Sequence, residues 1–237
     1  MRSLSLVAVI VFVCLTAIGL NLRTGKGKNL PLNEGRSFSR TDQKDETHPL
    51  PAATRRYRID ASQSKFTAHA LAGGLLWFKG HNHIIAIQDF TGEAQLTPGS
   101  IKPASLQINA KAASMVETSD VFTEQEKQII NRELREIVLH PDQYPEIIFR
   151  STSITGRTTG SNEYELKITG DLTLHGVTRQ ITIPTTVTLA RNGFRAQGEF
   201  AIERSDFKVK ATSAMHGLIR VKDKVKFTYD IVGHEQN

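Results

Sequence analysis

The chain has 237 residues and a formal net charge of +6, but its positive excess lies in the N-terminal part. Residues 1–56 contain nine Lys or Arg against four Asp or Glu, whereas residues 57–237 contain 21 against 20. A folded region so close to neutral lacks the basic face of a nucleic-acid-binding domain, so we expect no nucleic-acid partner. The single cysteine, Cys14, lies near the N-terminus, which leaves the rest of the chain without disulfides or a thiol for catalysis.

Residues 1–22 predict a signal peptide or a membrane anchor. Leu4 to Leu20 is almost wholly apolar and follows the positive charge of Arg2. Its length falls between a signal-peptide apolar region, about 7 to 15 residues, and a membrane-spanning helix, about 20. Both alternatives stay open. Either predicts export to the periplasm or cell envelope, and an anchor would add contact with the membrane.

Residues 23–56 predict a disordered polar linker, because they contain few large apolar side chains and many polar residues, glycines and prolines. The folded domain is then expected at residues 57–235. Its first part alternates apolar and polar residues with the period of a strand. Between these strands, Leu71 to Lys79 is apolar without that period and predicts a short helical turn or a plug, with Trp77-Phe78 at a core or ligand-facing position. The expected strands of this part are residues 57–59 and 64–70 (a pair or one bent strand), 81–88, 90–96 and 105–111.

The period then changes to that of a helix. Apolar residues from Phe122 to Val138 recur at helical spacing, with charged residues between them. This pattern predicts one amphipathic helix, Thr123 to Leu139, which Pro141 and Pro145 end.

The clearest pattern in the chain is a hairpin around His175-Gly176. Residues 166–174 and 181–189 alternate strictly, with β-branched residues on the apolar side, and leave room only for a tight turn between them. Further strands are expected around residues 147–151, 196–202 and 219–231.

Eight or nine antiparallel strands and one inserted helix predict an all-β fold, an antiparallel β-barrel of about eight strands. The interior of such a barrel is just wide enough for side chains or one small ligand, so a solid core and an apolar cavity both stay open. Small residues at inward positions leave room for a cavity. These are Ala94, Ala110, Gly170, Ala196 and Gly198.

Four short segments are matched in order along the predicted barrel: Tyr57–Asp60, Tyr144–Thr152, Gly170–Thr178 and Arg204–Phe207. In these segments the chain resembles the YceI-like family of exported, lipocalin-like barrels associated with polyisoprenoid lipids. The resemblance covers nearly all of residues 57–232. It implies that the interior holds a long isoprenoid chain, such as a quinone tail or a polyprenyl lipid. After Phe207 the family usually continues with glycine, whereas this chain has Lys208, so a turn with positive φ is less favourable there.

His81 and His83 are the sharpest local feature. Two residues apart in a strand, they would share the face of Ile85 and Ile87, where two imidazoles can chelate one zinc or copper ion. The alternative is two hydrogen-bonded histidines at the barrel mouth. A metal would need one or two further ligands, for which His69, His140, His175 and His216 are the candidates.

No nucleophile elbow, phosphate-binding loop or zinc-protease motif occurs in the predicted barrel, so catalysis has no support. The leading hypothesis is an exported, non-enzymatic carrier of a long apolar lipid, with the lipid head near His81 or His83. The alternatives are a metal-binding or redox-associated envelope protein that uses His81 and His83, and a solid-core interaction module that docks through the helix. The residues expected to line the ligand are Ile85, Ile87, Leu106, Ile108, Phe149, Leu172, Leu174, Ile183, Val187, Phe200, Phe227 and Ile231.

Overall fold

The computed structural model describes residues 53–214, 216 and 218–236, in which eleven strands form one antiparallel sheet. The predicted signal or anchor at residues 1–22 and the predicted linker as far as residue 52 lie outside the described residues. The strands are β1 (Arg55–Gly73), β2 (His83–Ile87), β3 (Phe90–Thr97), β4 (Ser100–Lys111), β5 (Met115–Glu117), β6 (Glu146–Thr158), β7 (Glu163–Leu174), β8 (Val177–Ala190), β9 (Gly193–Glu203), β10 (Ser213–Ala214) and β11 (Ile219–Glu235).

Eight of these strands close into a barrel, because β1 pairs with β3 through its first residues and with β11 along its length. The order around the barrel is β1, β11, β9, β8, β7, β6, β4 and β3. The short strands β2 and β5 extend the sheet from the second half of β1, and β10 pairs with the start of β11. The predicted antiparallel barrel of about eight strands is therefore confirmed. Closure leaves no long barrel edge unpaired.

The alternation of side chains sets which face lies inside. Along β7, Tyr164, Leu166 and Ile168 are buried, whereas Thr169 lies on the outer face and its hydroxyl is 2.9 Å from that of Thr182 on β8. The β7–β8 turn consists of His175 and Gly176, both with positive φ (51° and 72°). Two such residues are what a type I′ hairpin turn requires, so the central hairpin forms as predicted.

β1 is one bent strand. Its pairing with β11 shifts between Asp60 and Lys65. The Asp60 carboxylate accepts hydrogen bonds from the Ser62 amide (2.9 Å) and hydroxyl (2.6 Å), and the Ser64 hydroxyl accepts one from the Val232 amide (2.9 Å). Side chains thus satisfy backbone groups that the bulge takes out of the ladder.

The inserted helix lies across one end of the barrel. Helix α1 (Glu124–Glu133) begins with a capping box, in which the Thr123 hydroxyl accepts from the Glu126 amide and the Glu126 side chain accepts from the Thr123 amide. It continues as a π-helical segment to Leu139, and His140 ends it with a φ of 47°. In the described part of the chain, no helix is long and apolar enough to cross a membrane.

We call the end of the barrel that the inserted helix covers the helix end. The β1–β2 loop and the connection from β9 to β11 also lie there. The turn end is the opposite one, with short links between β3 and β4, β6 and β7, and β8 and β9.

Candidate functional site

The barrel interior is hollow at the helix end. A cavity of about 180 Å³, which we call cavity 1, lies beneath the helix and is lined mainly by aliphatic and aromatic side chains. Ile130, Leu134, Val138 and Leu139 form its roof, and strand residues form its wall. The polar or charged residues that reach it are His83, Glu133, Arg204, Lys210 and Thr212.

A second apolar cavity of about 110 Å³, cavity 2, lies farther inside the barrel toward the turn end. Its polar lining consists of Ser105, Thr185 and Tyr229. The Tyr229 hydroxyl lies 2.7 Å from the Thr185 hydroxyl and donates to the Pro184 carbonyl at 2.9 Å. Burial raises the pKa of Tyr229 to about 12, so its hydroxyl stays protonated at physiological pH.

The two cavities share five lining residues, and we call the place where these residues lie the waist. Phe66 lies at this waist and has the rings of Phe90, Phe227 and Tyr229 within 6.1 to 6.4 Å, centroid to centroid. A volume of 180 Å³ already exceeds that of an engineered apolar cavity of about 150 Å³ that binds benzene. The interior is therefore suited to a narrow, flexible, apolar chain that passes the waist. The residues that line both cavities are Phe66, Ala110, Ile147, Leu172 and Phe200.

The twelve residues predicted to line a ligand all line one or both cavities; their contact with a ligand stays a prediction. Ile85, Ile87, Leu174 and Phe227 lie in cavity 1. Leu172 and Phe200 lie at the waist. The other six, Leu106, Ile108, Phe149, Ile183, Val187 and Ile231, lie in cavity 2.

Not all of the five small residues that were expected at inward positions leave room for a cavity. A side chain at Gly170 would meet the Phe149 ring, and one at Gly198 would meet the Tyr229 hydroxyl, so aromatic side chains already cover both glycines. Ala94, Ala110 and Ala196 do line the cavities. Only the alanines therefore support the expectation that small residues make room.

His83 links the wall of cavity 1 to a buried carboxylate. Its Nδ1 lies 2.8 Å from Oε2 of Glu117, whose side chain is fully buried. Burial raises the pKa of Glu117, but the hydrogen bond from His83 and those from the Ser119 and Ile84 amides together lower it below its ordinary value. Because a carboxylate only accepts, the proton lies on Nδ1, and Nε2 of His83 is the nitrogen left for a ligand.

His81 lies outside the strand. β2 begins only at His83, so the expectation that both histidines share a strand face is wrong for His81, which is exposed. Both rings pack on Phe122 instead: His83 stacks at 5.2 Å, and His81 meets it edge-on at 5.6 Å. Within the described residues, no group of three or more His, Cys, Asp or Glu is arranged to hold a metal ion. Zinc or copper at His81 and His83 stays a prediction that needs a ligand from elsewhere.

The remaining candidate histidines have other surroundings. The Nε2 of His69 lies 3.0 Å from the Thr228 hydroxyl. His140 and His175 lie 5.6 Å apart, ring to ring, and Tyr144 packs on His175 at 4.2 Å. Burial, and then the charge of His140, lowers the pKa of His175.

The sequence did not reveal a surface groove of about 200 Å³ at the helix end, lined by Gly80, His81 and Arg220 among others. The groove shares His83, Glu133, Thr212 and Val221 with cavity 1, so the groove and the interior adjoin. Its walls come from three distant parts of the chain, so no local pattern marks it.

A closed barrel of eight antiparallel strands around an apolar interior defines the lipocalin-like class of folds. The model of the YceI-like domain matches residues 57–233. The chain therefore belongs to the YceI-like family.

Two relatives show the extent of the similarity. Protein YceI of Escherichia coli O6:H1 is 30% identical over 164 residues, which cover 65% of this chain and 76% of that protein. A UPF0312 protein of Pseudomonas syringae pv. syringae is 33% identical over 118 residues, 46% of this chain and 55% of that protein. The chain thus matches little more than half the length of the Pseudomonas relative.

Solved structures share the fold. BcnA of Burkholderia cenocepacia superposes with a TM-score of 0.57 at 22% identity, over 73% of this chain and 98% of BcnA. A polyisoprenoid binding domain from Saccharophagus degradans, implicated in plant cell wall breakdown, gives 0.53 at 13% identity, over 76% and 98%. At these identities the likeness shows the fold alone.

Proposed function

We propose that this protein binds a long apolar lipid of the isoprenoid type inside the barrel and carries it in the cell envelope without chemical change. The observation that carries the proposal is the pair of adjoining apolar cavities inside a closed barrel. The same observation removes the argument for a solid-core interaction module.

Binding would be driven by desolvation of the lipid tail. Each buried methylene gains about 0.8 kcal/mol, so about ten buried carbons gain roughly 8 kcal/mol before the cost of ordering the chain. Such a tail needs few polar contacts. The scarcity of polar side chains in cavity 2 suits this mode of binding.

The lipid head would lie at the helix end, beside His83. Glu117 fixes the orientation of this imidazole, and Nε2 can accept a hydrogen bond from a hydroxyl or, when protonated, donate one to a carbonyl. A prenyl alcohol and a quinone both fit this chemistry. The polyisoprenoid-binding domain from Saccharophagus degradans, which shares the fold, supports the choice of ligand class.

Export belongs to the same proposal. The apolar stretch from Leu4 to Leu20 after a positive start supports translocation, and retention of that stretch would tether the barrel to the membrane. Periplasmic or envelope residence would bring the carrier close to lipids of this class.

The direct test is native mass spectrometry of the protein purified from its own envelope, followed by organic extraction. We expect an adduct that the extraction removes and that is identified as an isoprenoid lipid. A protein that arrives without lipid and fails to bind added geranylgeraniol would refute the proposal.

A substitution at the waist tests the site itself. Ala110 is buried and lines both cavities, so Ala110→Phe should fill the waist and weaken geranylgeraniol binding by at least about tenfold, while the shorter geraniol still binds. Ala201→Phe adds the same ring on the exposed face of β9 and should leave both affinities unchanged. Equal affinities for geranylgeraniol in these two variants would place the ligand elsewhere.

A further inference from the structure

The β1–β2 loop presents large apolar side chains to solvent. Leu75, Trp77 and Phe78 are 77%, 60% and 63% exposed, and Leu71 and Leu218 beside them are also exposed. We call these five residues the apolar tip. Monomeric proteins rarely expose so compact a group of large apolar side chains unless it contacts a partner or a membrane.

The apolar tip is held in place by its backbone. The Leu76 amide donates to the Leu218 carbonyl at 2.9 Å, and the Lys79 and Gly80 amides close a 3₁₀ turn onto the Leu76 and Trp77 carbonyls at 2.9 and 3.0 Å. Gly74 has a φ of 89°, and a side chain there would collide with the Leu218 carbonyl. These contacts fix a convex turn that projects its side chains away from the barrel.

Cationic side chains lie beside the apolar tip. Lys222 packs beside Gly73. Lys79 lies in the 3₁₀ turn itself, and the Arg220 side chain packs beside Gly74. Glu133 on α1 is the acidic residue that lines the adjoining groove. The local balance favours an anionic partner.

The apolar tip lies beside the groove that adjoins cavity 1. Ala72 near the end of β1 and Gly80 in the β1–β2 loop line the groove that shares four residues with cavity 1. A surface on which the tip rests would therefore face the route by which an apolar chain reaches the barrel.

We propose that the apolar tip docks the barrel onto an anionic lipid bilayer. Trp77, Phe78 and Leu75 enter the boundary between headgroups and acyl chains, while Lys79 and Arg220 contact anionic headgroups. A convex turn with an aromatic pair and flanking cations suits a fluid bilayer, whose lipids rearrange around it. The docking goes beyond the carrier function and is measured with no cargo present.

Trp77 is the only tryptophan in the chain, so its fluorescence reports the apolar tip even when the N-terminal stretch also binds lipid. On vesicles of phosphatidylcholine and phosphatidylglycerol, the full-length protein should show blue-shifted Trp77 emission that brominated acyl chains quench. Leu75→Ser/Phe78→Ser should weaken this response at least about tenfold. Lys79→Gln/Arg220→Gln, which keeps the apolar side chains, should weaken it about 30-fold, a factor of about five for each cation.

The matched control is Ile129→Ser, which removes an exposed apolar side chain of α1 outside the apolar tip and should change nothing. Trp77 emission that stays unquenched on anionic vesicles, or quenching that survives Leu75→Ser/Phe78→Ser, overturns the proposal. Equal quenching on pure phosphatidylcholine overturns the anionic assignment. If the Trp77 emission shifts to the blue with increasing protein concentration in the absence of lipid, the docking proposal is also overturned, because a second copy of the chain would then cover the tip.

Discussion

The two ends of the barrel differ in whether their large apolar side chains are buried or exposed. At the turn end, the Tyr57 and Phe194 rings meet edge-to-face at 5.5 Å and are buried, and the Tyr164 hydroxyl accepts a hydrogen bond from the Gly99 amide at 2.9 Å. At the helix end lie all nine large apolar side chains that are exposed among the described residues, in segments 71–84 and 121–137 and at Leu218. The turn end buries its aromatic residues, and we call it the sealed end; the exposed apolar side chains and the groove beside cavity 1 lie at the helix end.

The largest effect should come from opening the sealed end. Tyr57→Ala removes a ring that is 2% exposed and should lower the free energy of unfolding by about 3–5 kcal/mol. Trp77→Ala removes a larger ring at the helix end and should change it by no more than about 0.5 kcal/mol. Urea denaturation measures the free energy of unfolding of both variants.

Tyr57→Phe is the control at the turn end, because it keeps the edge-to-face contact with Phe194 and should cost less than Tyr57→Ala. Equal losses in Tyr57→Ala and Trp77→Ala would contradict the contrast between the ends. They would mean that the apolar tip packs into the core.

An intermediate effect is expected at the helix end, where Glu117 joins β5 to β2 and to the helix. Its carboxylate binds His83 and backbone amides, and its own amide donates to Oδ1 of Asn131 at 2.7 Å. The folded-state pKa lies below the ordinary 4.5. The stability from this group is therefore complete above pH 4.5 and is lost as the pH falls through the lower folded value.

Glu117→Gln should accordingly lower the free energy of unfolding by about 1–3 kcal/mol at neutral pH. In this variant the free energy of unfolding should also fall less as the pH is lowered. Denaturant titrations between neutral pH and about pH 3 measure this. Glu136→Gln changes an exposed carboxyl of the π-helical segment at the same end of the barrel and should leave the pH profile unchanged. An identical acid response in the two variants would show that Glu117 does not stabilise this end.

Strand periodicity was sufficient to predict the barrel and the residues that face its interior. Alternation along each strand is a local property, so the inward side of residues such as Leu172 and Phe200 follows from the sequence. Pairing between strands is not local. The Phe149 ring covers Gly170 only because β6 and β7 adopt a particular register, and for this reason Gly170 was wrongly expected to leave space.

The polar part of the site was predicted less completely. His83 was expected at the barrel mouth, but Glu117 is 34 residues away and became its partner through the β2–β5 pairing. Trp77 and Phe78 were expected to form a core plug or to contact a ligand at the cavity mouth, and they are exposed. Composition alone does not distinguish a buried apolar turn from a projecting one, because the backbone hydrogen bond to Leu218 decides it.

The smallest effect is expected at Lys208, which follows a 3₁₀ turn at the helix end. The sequence made a turn with positive φ less favourable here, yet Lys208 adopts a φ of 57°. A left-handed conformation costs a residue with a side chain about 1–2 kcal/mol, of which the greater unfolded-state entropy of glycine offsets a part. Lys208→Gly should therefore stabilise the fold by about 0.5–1 kcal/mol and raise the melting temperature by about 1–4 °C. Lys210→Gly, where φ is not positive, should lower it. If both variants lowered the melting temperature equally, the left-handed conformation of Lys208 would carry no free-energy cost. The backbone at the helix end would then be no more strained than that at the sealed end.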